Sequence, residues 1–146
     1  MLDTIQALNR TASFNRWAGF EVHHAADGEA ELRMNWREGD MGQYAGFLHA
    51  GMIAALLDTV SGYAAATQAG RVLASHFSVN CISPAIGRAF VARGRVVKAG
   101  RKQVFVVAEL YAQPEGKGED ELKLVATGNA ILVPIAAEEL QPKPAA

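Results

Sequence analysis

Apolar residues recur along this chain in two periods, and the switch between them divides it. Leu2, Ile5, Leu8 and Ala12 stand three or four apart and predict a short amphipathic helix over 2–12. "GFEVHHAADG" reads as a strand that turns at Asp27-Gly28. In "EAELRMNWR", Ala30, Leu32, Met34 and Trp36 alternate with Glu29, Glu31, Arg33, Asn35 and Arg37, giving a strand with one buried and one wet face. The Gly-bearing loop "EGDMGQYAG" leads into residues 50–68, which read as one long helix, apolar on nearly every side. Only strands follow. "VLASHFSVNCI" sets Phe77, Val79 and Cys81 against His76, Ser78 and Asn80, and "RAFVARGRVVKAG" turns at Ala99-Gly100. "KQVFVVAELYAQ" puts Val104, Val106, Ala108 and Leu110 on one face, and "LKLVATGNAILVPI" closes the series after a charged loop.

That order matches neither the βαβ alternation of a parallel sheet nor an all-β sandwich. It predicts an α+β domain, an antiparallel sheet with one dominant helix. A helix apolar all round must be wrapped by the sheet, with a further surface covering the remainder. There is no internal repeat and no linker, so residues 1–136 read as one domain and 137–146 as a frayed tail.

Composition changes this picture little. The 146 residues are 50% apolar and 20% charged, with a net charge of −1 that argues against nucleic acid as a partner. Cys81 stands alone, so no internal disulfide can form and a reducing compartment is expected; the residue itself reads as a small buried hydrophobe. "MLDTIQALNRTASF" lacks the pattern of a secretory signal, and no apolar run approaches the roughly 20 residues of a membrane span, so a cytoplasmic protein is expected. His23 and His24 are adjacent on a strand and point to opposite faces, a poor metal pair. No metal-spaced cluster, phosphate-cradling Gly loop or serine elbow occurs, so neither metal nor cofactor is expected.

One anomaly carries chemistry. From Met41 to Gly70 the only Asp, Glu, Lys or Arg is Asp58, set in "GFLHAGMIAALLDTVSGYAAAT". Removing a carboxylate from water costs several kcal/mol unless something compensates it. At the start of the same helix, Gly46 and His49 precede the small residues Ala50 and Gly51, where free backbone N–H groups and the dipole favour negative charge. That end is either a candidate oxyanion site or an ordinary loop-to-helix junction. Asp58 lies about 12 Å along the axis from Ala50 and points away from His49, so it cannot serve its own N-terminus. In a two-fold dimer it can serve the partner's, giving an acyl-transfer or hydrolysis layout between subunits. The alternative is a polar residue at a dimer seam, capped by Thr59 or Ser61.

"QYAGFLHAGMIAALLD" resembles the "N-x-x-G-x-x-H-G-G…D" signature of hotdog-fold acyl-CoA thioesterases of the phenylacetate-pathway (PaaI-like) branch. "VNCISPA", "RGRVVKAGRKQVFVVAELY" and "LVATGNAILVPI" are similar to strands of that family, and the resemblance spans roughly residues 15–134. It implies a hotdog domain, assembled as a homodimer or homotetramer, that hydrolyses an acyl-CoA. Asp58 stands at the family's catalytic carboxylate. His49 matches the histidine that orients loop and substrate, Gly46 matches as it stands, and Ala50 and Gly51 match the two glycines, the first of which polarises the thioester carbonyl. Gln43 stands where the family has Asn. Each departure, Gln at 43 and Ala at 50, alters the fit around the carbonyl. Ala74 stands where a Ser or Thr often assists, with Ser75 or His76 as substitutes. Met52, Leu56 and Tyr63 are expected to line the acyl pocket.

A basic stretch fits the same implication. Between Asp58 and Glu109 there is no acid, while Arg71, Arg88, Arg93, Arg95, Lys98, Arg101 and Lys102 occur. Arg93, Arg95 and Arg101 suit the phosphates of coenzyme A, or else protect a solvated sheet edge. Two rival functions share the fold. An acyl-thioester hydratase or dehydratase would carry a "D-x-x-P-H" or "H-F-P-G" run, absent here, and a non-catalytic acyl-CoA-binding protein remains open.

Overall fold

The structure is a computed structural model that describes residues 1–140. Its helices are α1 (Leu2–Thr11), α2 (Ser13–Ala18) and α3 (Ala50–Ala69). The strands are β1 (Glu21–Ala26), β2 (Glu29–Asn35), β3 (Val72–Cys81), β4 (Ala89–Ala99), β5 (Val104–Gln113) and β6 (Lys123–Pro134). They form one antiparallel sheet in the order β1-β2-β4-β5-β6-β3. α3 lies on one face and touches every strand, β4 and β5 most heavily. This is the α+β arrangement expected of a hotdog fold.

The alternation explains the packing. Ala30, Leu32 and Met34 on β2, Val104, Val106, Ala108 and Leu110 on β5, and Ala130 and Leu132 on β6 are buried under α3. Ala and Gly at 92, 94, 108, 126, 128 and 130 keep this face shallow, so the helix backbone approaches the strands closely. Leu56, Val60 and Ala64 project from α3 onto it and are fully buried. β1 and β2 join through Asp27-Gly28, both at positive φ (52° and 82°), the conformation of a two-residue hairpin turn.

The helix expected over 2–12 is present as α1, ended by the extended Ala12 (φ −85°, ψ 116°), and the short α2 follows it. One expectation is corrected: β3 alternates in sequence but not in burial, and Leu73, Phe77 and Cys81 are exposed, because β3 is the last strand of the sheet and pairs only with β6. Cys81 is therefore no buried hydrophobe. Within the expected frayed tail, Ala137–Leu140 form a short 3-10 turn, and 141–146 lie outside the described residues. Among the described residues no helix is long and apolar enough to cross a membrane.

Candidate active site

The loop ahead of α3 is built by its own backbone. Gln43 N–H donates to the Phe47 carbonyl at 2.8 Å, Gly46 N–H returns to the Gln43 carbonyl at 2.9 Å, and Gly46 takes the positive φ (86°) that closes the turn. Gln43 Oε1 accepts from the N–H groups of Ala45 and Phe47. Its oxygen is thus committed to the loop, and its NH2 group remains as a donor. His49 N–H donates to the Met41 carbonyl (3.0 Å) and Leu48 N–H to the Ala85 carbonyl (3.0 Å), which pins the loop to the segment after β3.

His49 is the N-cap of α3. Its Nδ1 accepts from Gly51 N–H at 2.8 Å, while its carbonyl accepts from Met52 and Ile53. Gly51's N–H is therefore spent on His49. Among the described residues, Ala50 N–H is the donor of the first turn left without a partner. Ala50 and Gln43 line one cavity of about 330 Å³ with Phe47, Ile53, Cys81 and Ile82.

Asp58 sits elsewhere. It lines a separate cavity of about 250 Å³ with Leu8, Asn15, Tyr63, Leu73 and Ala74. Its carboxylate makes no hydrogen bond or ion pair among the described residues, and burial raises its pKa above the ordinary 3.8. Tyr63 contributes its ring to this cavity, while its hydroxyl donates to Asn9 Oδ1 (2.9 Å) and accepts from Asn15 Nδ2 (3.0 Å). That buried network ties α1 and α2 to α3.

The other expected site residues divide. His49, Gly51 and Met52 border a third cavity with Phe14, Trp17 and Met41. Leu56 faces the sheet and is fully buried, so it lines no pocket. Ser75 is the bulged residue of β3, exposed, with Oγ donating to the Ile131 carbonyl at 3.3 Å; Ala74 is the one facing Asp58's cavity. Arg93 and Arg95 lie across the sheet's outer face in a hollow with Glu29, Glu31, Glu109 and Tyr111. Arg93 Nε donates to Glu31 at 2.8 Å and its guanidinium covers the Tyr111 ring at 5.2 Å, so this one arginine of the basic stretch is paired with an acid of the neighbouring strand. Arg101 is exposed in the β4–β5 turn. Among the described residues no cluster of three or more His, Cys, Asp and Glu is arranged to hold a metal.

Sequence reasoning missed the N-terminal contribution. Leu8 and Asn15 line Asp58's cavity, and Phe14 and Trp17 border the start of α3. "SFNRWA" is too short to show a period, and nothing local links Asn15 to Tyr63, 48 positions later.

The family model described as the thioesterase superfamily matches residues 45–119. Among solved structures, a thioesterase family protein from Silicibacter pomeroyi is 32% identical, over 88% of this chain and 93% of its own, with a TM-score of 0.82. Zebrafish thioesterase superfamily member 2 is 25% identical over 92% of this chain and 99% of its own, TM-score 0.78. A mutant of the phenylacetic acid degradation protein PaaI from Thermus thermophilus is 25% identical over 85% of this chain and all of its own (100%), TM-score 0.74. A search of curated proteins found no match.

Proposed function

Because the chain belongs to the thioesterase superfamily, we propose that it hydrolyses acyl-CoA thioesters at a site shared between two subunits. The observation that carries this reading is a double vacancy. Among the described residues, Asp58 is a half-buried carboxylate without a partner, and Ala50 N–H is a helix-end donor without one. About 12 Å of helix separates them, so one chain cannot bring them together.

β3 supplies the route by which two chains do. It is ten residues long, carries no Asp, Glu, Lys or Arg, and exposes Leu73 and Phe77 at the sheet's edge. β1, the opposite edge, is short, charged and bulged. Long uncharged edges invite pairing. When β3 pairs with its own copy antiparallel about a two-fold axis, Leu73–Ser75 of one chain lie against the Cys81 end of the other. The Asp58–Ala74 cavity then meets the Gln43–Ala50–Cys81 cavity of the partner.

In this arrangement Asp58 takes a proton from water as the water oxygen attacks the thioester carbon. The carbonyl oxygen gains negative charge against the partner's Ala50 N–H, with the NH2 of Gln43 nearby. The C–S bond then breaks, and the departing thiolate takes up the proton held by Asp58, leaving free acid and CoA. A carboxylate with a raised pKa is the better base for this step. The cycle draws on Asp58, water and amide donors, with no cofactor.

CoA release from short-chain, long-chain and aromatic acyl-CoAs tests the reading, with wild type and Asp58→Asn side by side. Loss of a general base should lower kcat by about 10²–10⁴-fold, with binding of a non-hydrolysable thioether analogue retained. Saturable binding with no turnover across the panel would overturn hydrolysis in favour of a binding protein.

A further inference from the structure

Beside the start of α3 lies a cavity of about 270 Å³ bordered by Phe14, Trp17, Met41 and Met52 on its apolar side and by Asp40, His49 and Gly51 on the other. Its floor and its walls differ in kind. Met41 and Met52 are buried, whereas Phe14 and Trp17 are each 48% exposed, a large apolar surface to leave in water. These rings are nevertheless held. Phe14 packs on Trp17 (centroids 5.8 Å apart) and edge-on to Phe20 (6.0 Å). The Arg37 guanidinium covers the Trp17 ring at 5.3 Å, and Arg37 Nε is itself fixed by Asp40 at 3.0 Å.

We infer that this cavity takes the acyl group of the thioester, and that Phe14 and Trp17 form the wall that limits its length. The inference rests on the hydrolase reading above. A thioester whose carbonyl lies at Ala50 N–H has two branches. The CoA branch is polar and long and must run out to solvent. The acyl branch is apolar and needs an apolar surface to lie against. The cavity is bordered by His49 and Gly51, the residues on either side of that donor in the chain, and Phe14, Trp17, Met41 and Met52 supply its apolar surface. Two thioether side chains make its floor adaptable to acyl shape. The ring pair, braced by Arg37 and Asp40, does not adapt, so it fixes the limit. In sequence, the wall comes from α2, which lies outside the residues matched by the family model.

Two measurements test this. In the first, kcat/KM is compared for butyryl-, octanoyl- and palmitoyl-CoA in wild type, Phe14→Ala and Trp17→Ala. The long-to-short ratio should rise about tenfold or more when the wall is cut back, since one methylene in an apolar pocket changes kcat/KM by roughly 10–200-fold. In the second, Trp17 is made the only tryptophan by Trp36→Phe, since the chain has two. Its emission should change on saturation with a non-hydrolysable octanoyl-CoA thioether and stay unchanged with CoA alone. Circular dichroism checks that each variant is folded. An unchanged length profile in both alanine variants, or a silent Trp17 at saturation, overturns the inference even where hydrolysis is confirmed. A Trp17 response in a protein that hydrolyses no thioester overturns the hydrolase reading and upholds the pocket.

Discussion

Gly94→Ala probes how the fold holds the proposed site. Gly94 lies in β4 beneath α3, and a Cβ there would stand 2.9 Å from the Val60 carbonyl oxygen, 3.2 Å from its carbon and 3.5 Å from Ala64 Cβ. Unstrained carbon contacts begin at about 3.5 Å, so helix and strand must part by roughly 0.5 Å. The two nearest atoms are both backbone of Val60 in the middle of α3, and Gly94 lies in a central strand, so no side-chain rotation relieves the clash. Overpacking of this kind costs about 1–3 kcal/mol. At roughly 2–4 °C per kcal/mol for a chain near this size, melting should fall by about 2–12 °C. Val60 is two residues from Asp58 on the same rigid helix, so the carboxylate moves with it. A 1 Å misplacement costs about 10²-fold, and half of that should lower kcat on the order of tenfold. Melting followed by circular dichroism, together with CoA release, reads both effects. A variant that melts at or above wild type with unchanged turnover would refute the seating of α3 on β4 and the coupling of that seat to the site.

Asp58 should also cost stability. Burial raises its pKa above 3.8, so the folded state holds the proton more tightly than the unfolded chain and stability falls as pH rises through the interval between those values. Asp58→Asn, neutral throughout, should melt above wild type at pH 7 and converge with it below pH 3.8, measured by melting against pH; equal melting at pH 7 would refute the penalty. Phe77→Glu should disrupt the proposed dimer, because Phe77 lies near the middle of β3 and two carboxylates would face each other across the axis. Like charges so placed cost several kcal/mol. Sedimentation should show a monomer with turnover lowered more than tenfold, and an unaltered assembly would refute β3 as the seam.

The sheet was legible wherever something lies on it. Ala30, Leu32 and Met34, and Val104 through Leu110, alternate because α3 covers one of their faces, and the structure buries the same residues. The long helix was legible for the opposite reason, an absence of polar faces over 50–68, realised as Ala50–Ala69. β3 is different. Alternation says which side chains share a face, not whether any surface meets that face, so Phe77 and Cys81 read as buried and stand exposed. Arg93 shows another limit. Its partner Glu31 is 62 positions away and adjacent only through the β2–β4 register, so an arginine that stands among bases in sequence is paired with an acid in space.

The candidate site was half legible, and the split has one cause. Asp58 stood out because a charge in an apolar run is a local anomaly, and Ala50 because helix ends are local too. What each feature meets is not local. Among the described residues, His49 takes Gly51's N–H and Asn9 and Asn15 take Tyr63's hydroxyl, leaving Asp58 and the Ala50 N–H over. An unrelated partner covering β3 would satisfy the strand edge alone. In the proposed arrangement, a second copy paired antiparallel along β3 would pair the edge and bring Asp58 and the Ala50 N–H to one site in a single operation, twice over, because what lacks a partner at one end of the strand would meet what lacks one at the other. That economy is the physical argument for a self-paired site, and it is why Phe77→Glu and Asp58→Asn should lower turnover by different routes: the first by separating the halves, the second with the halves still joined.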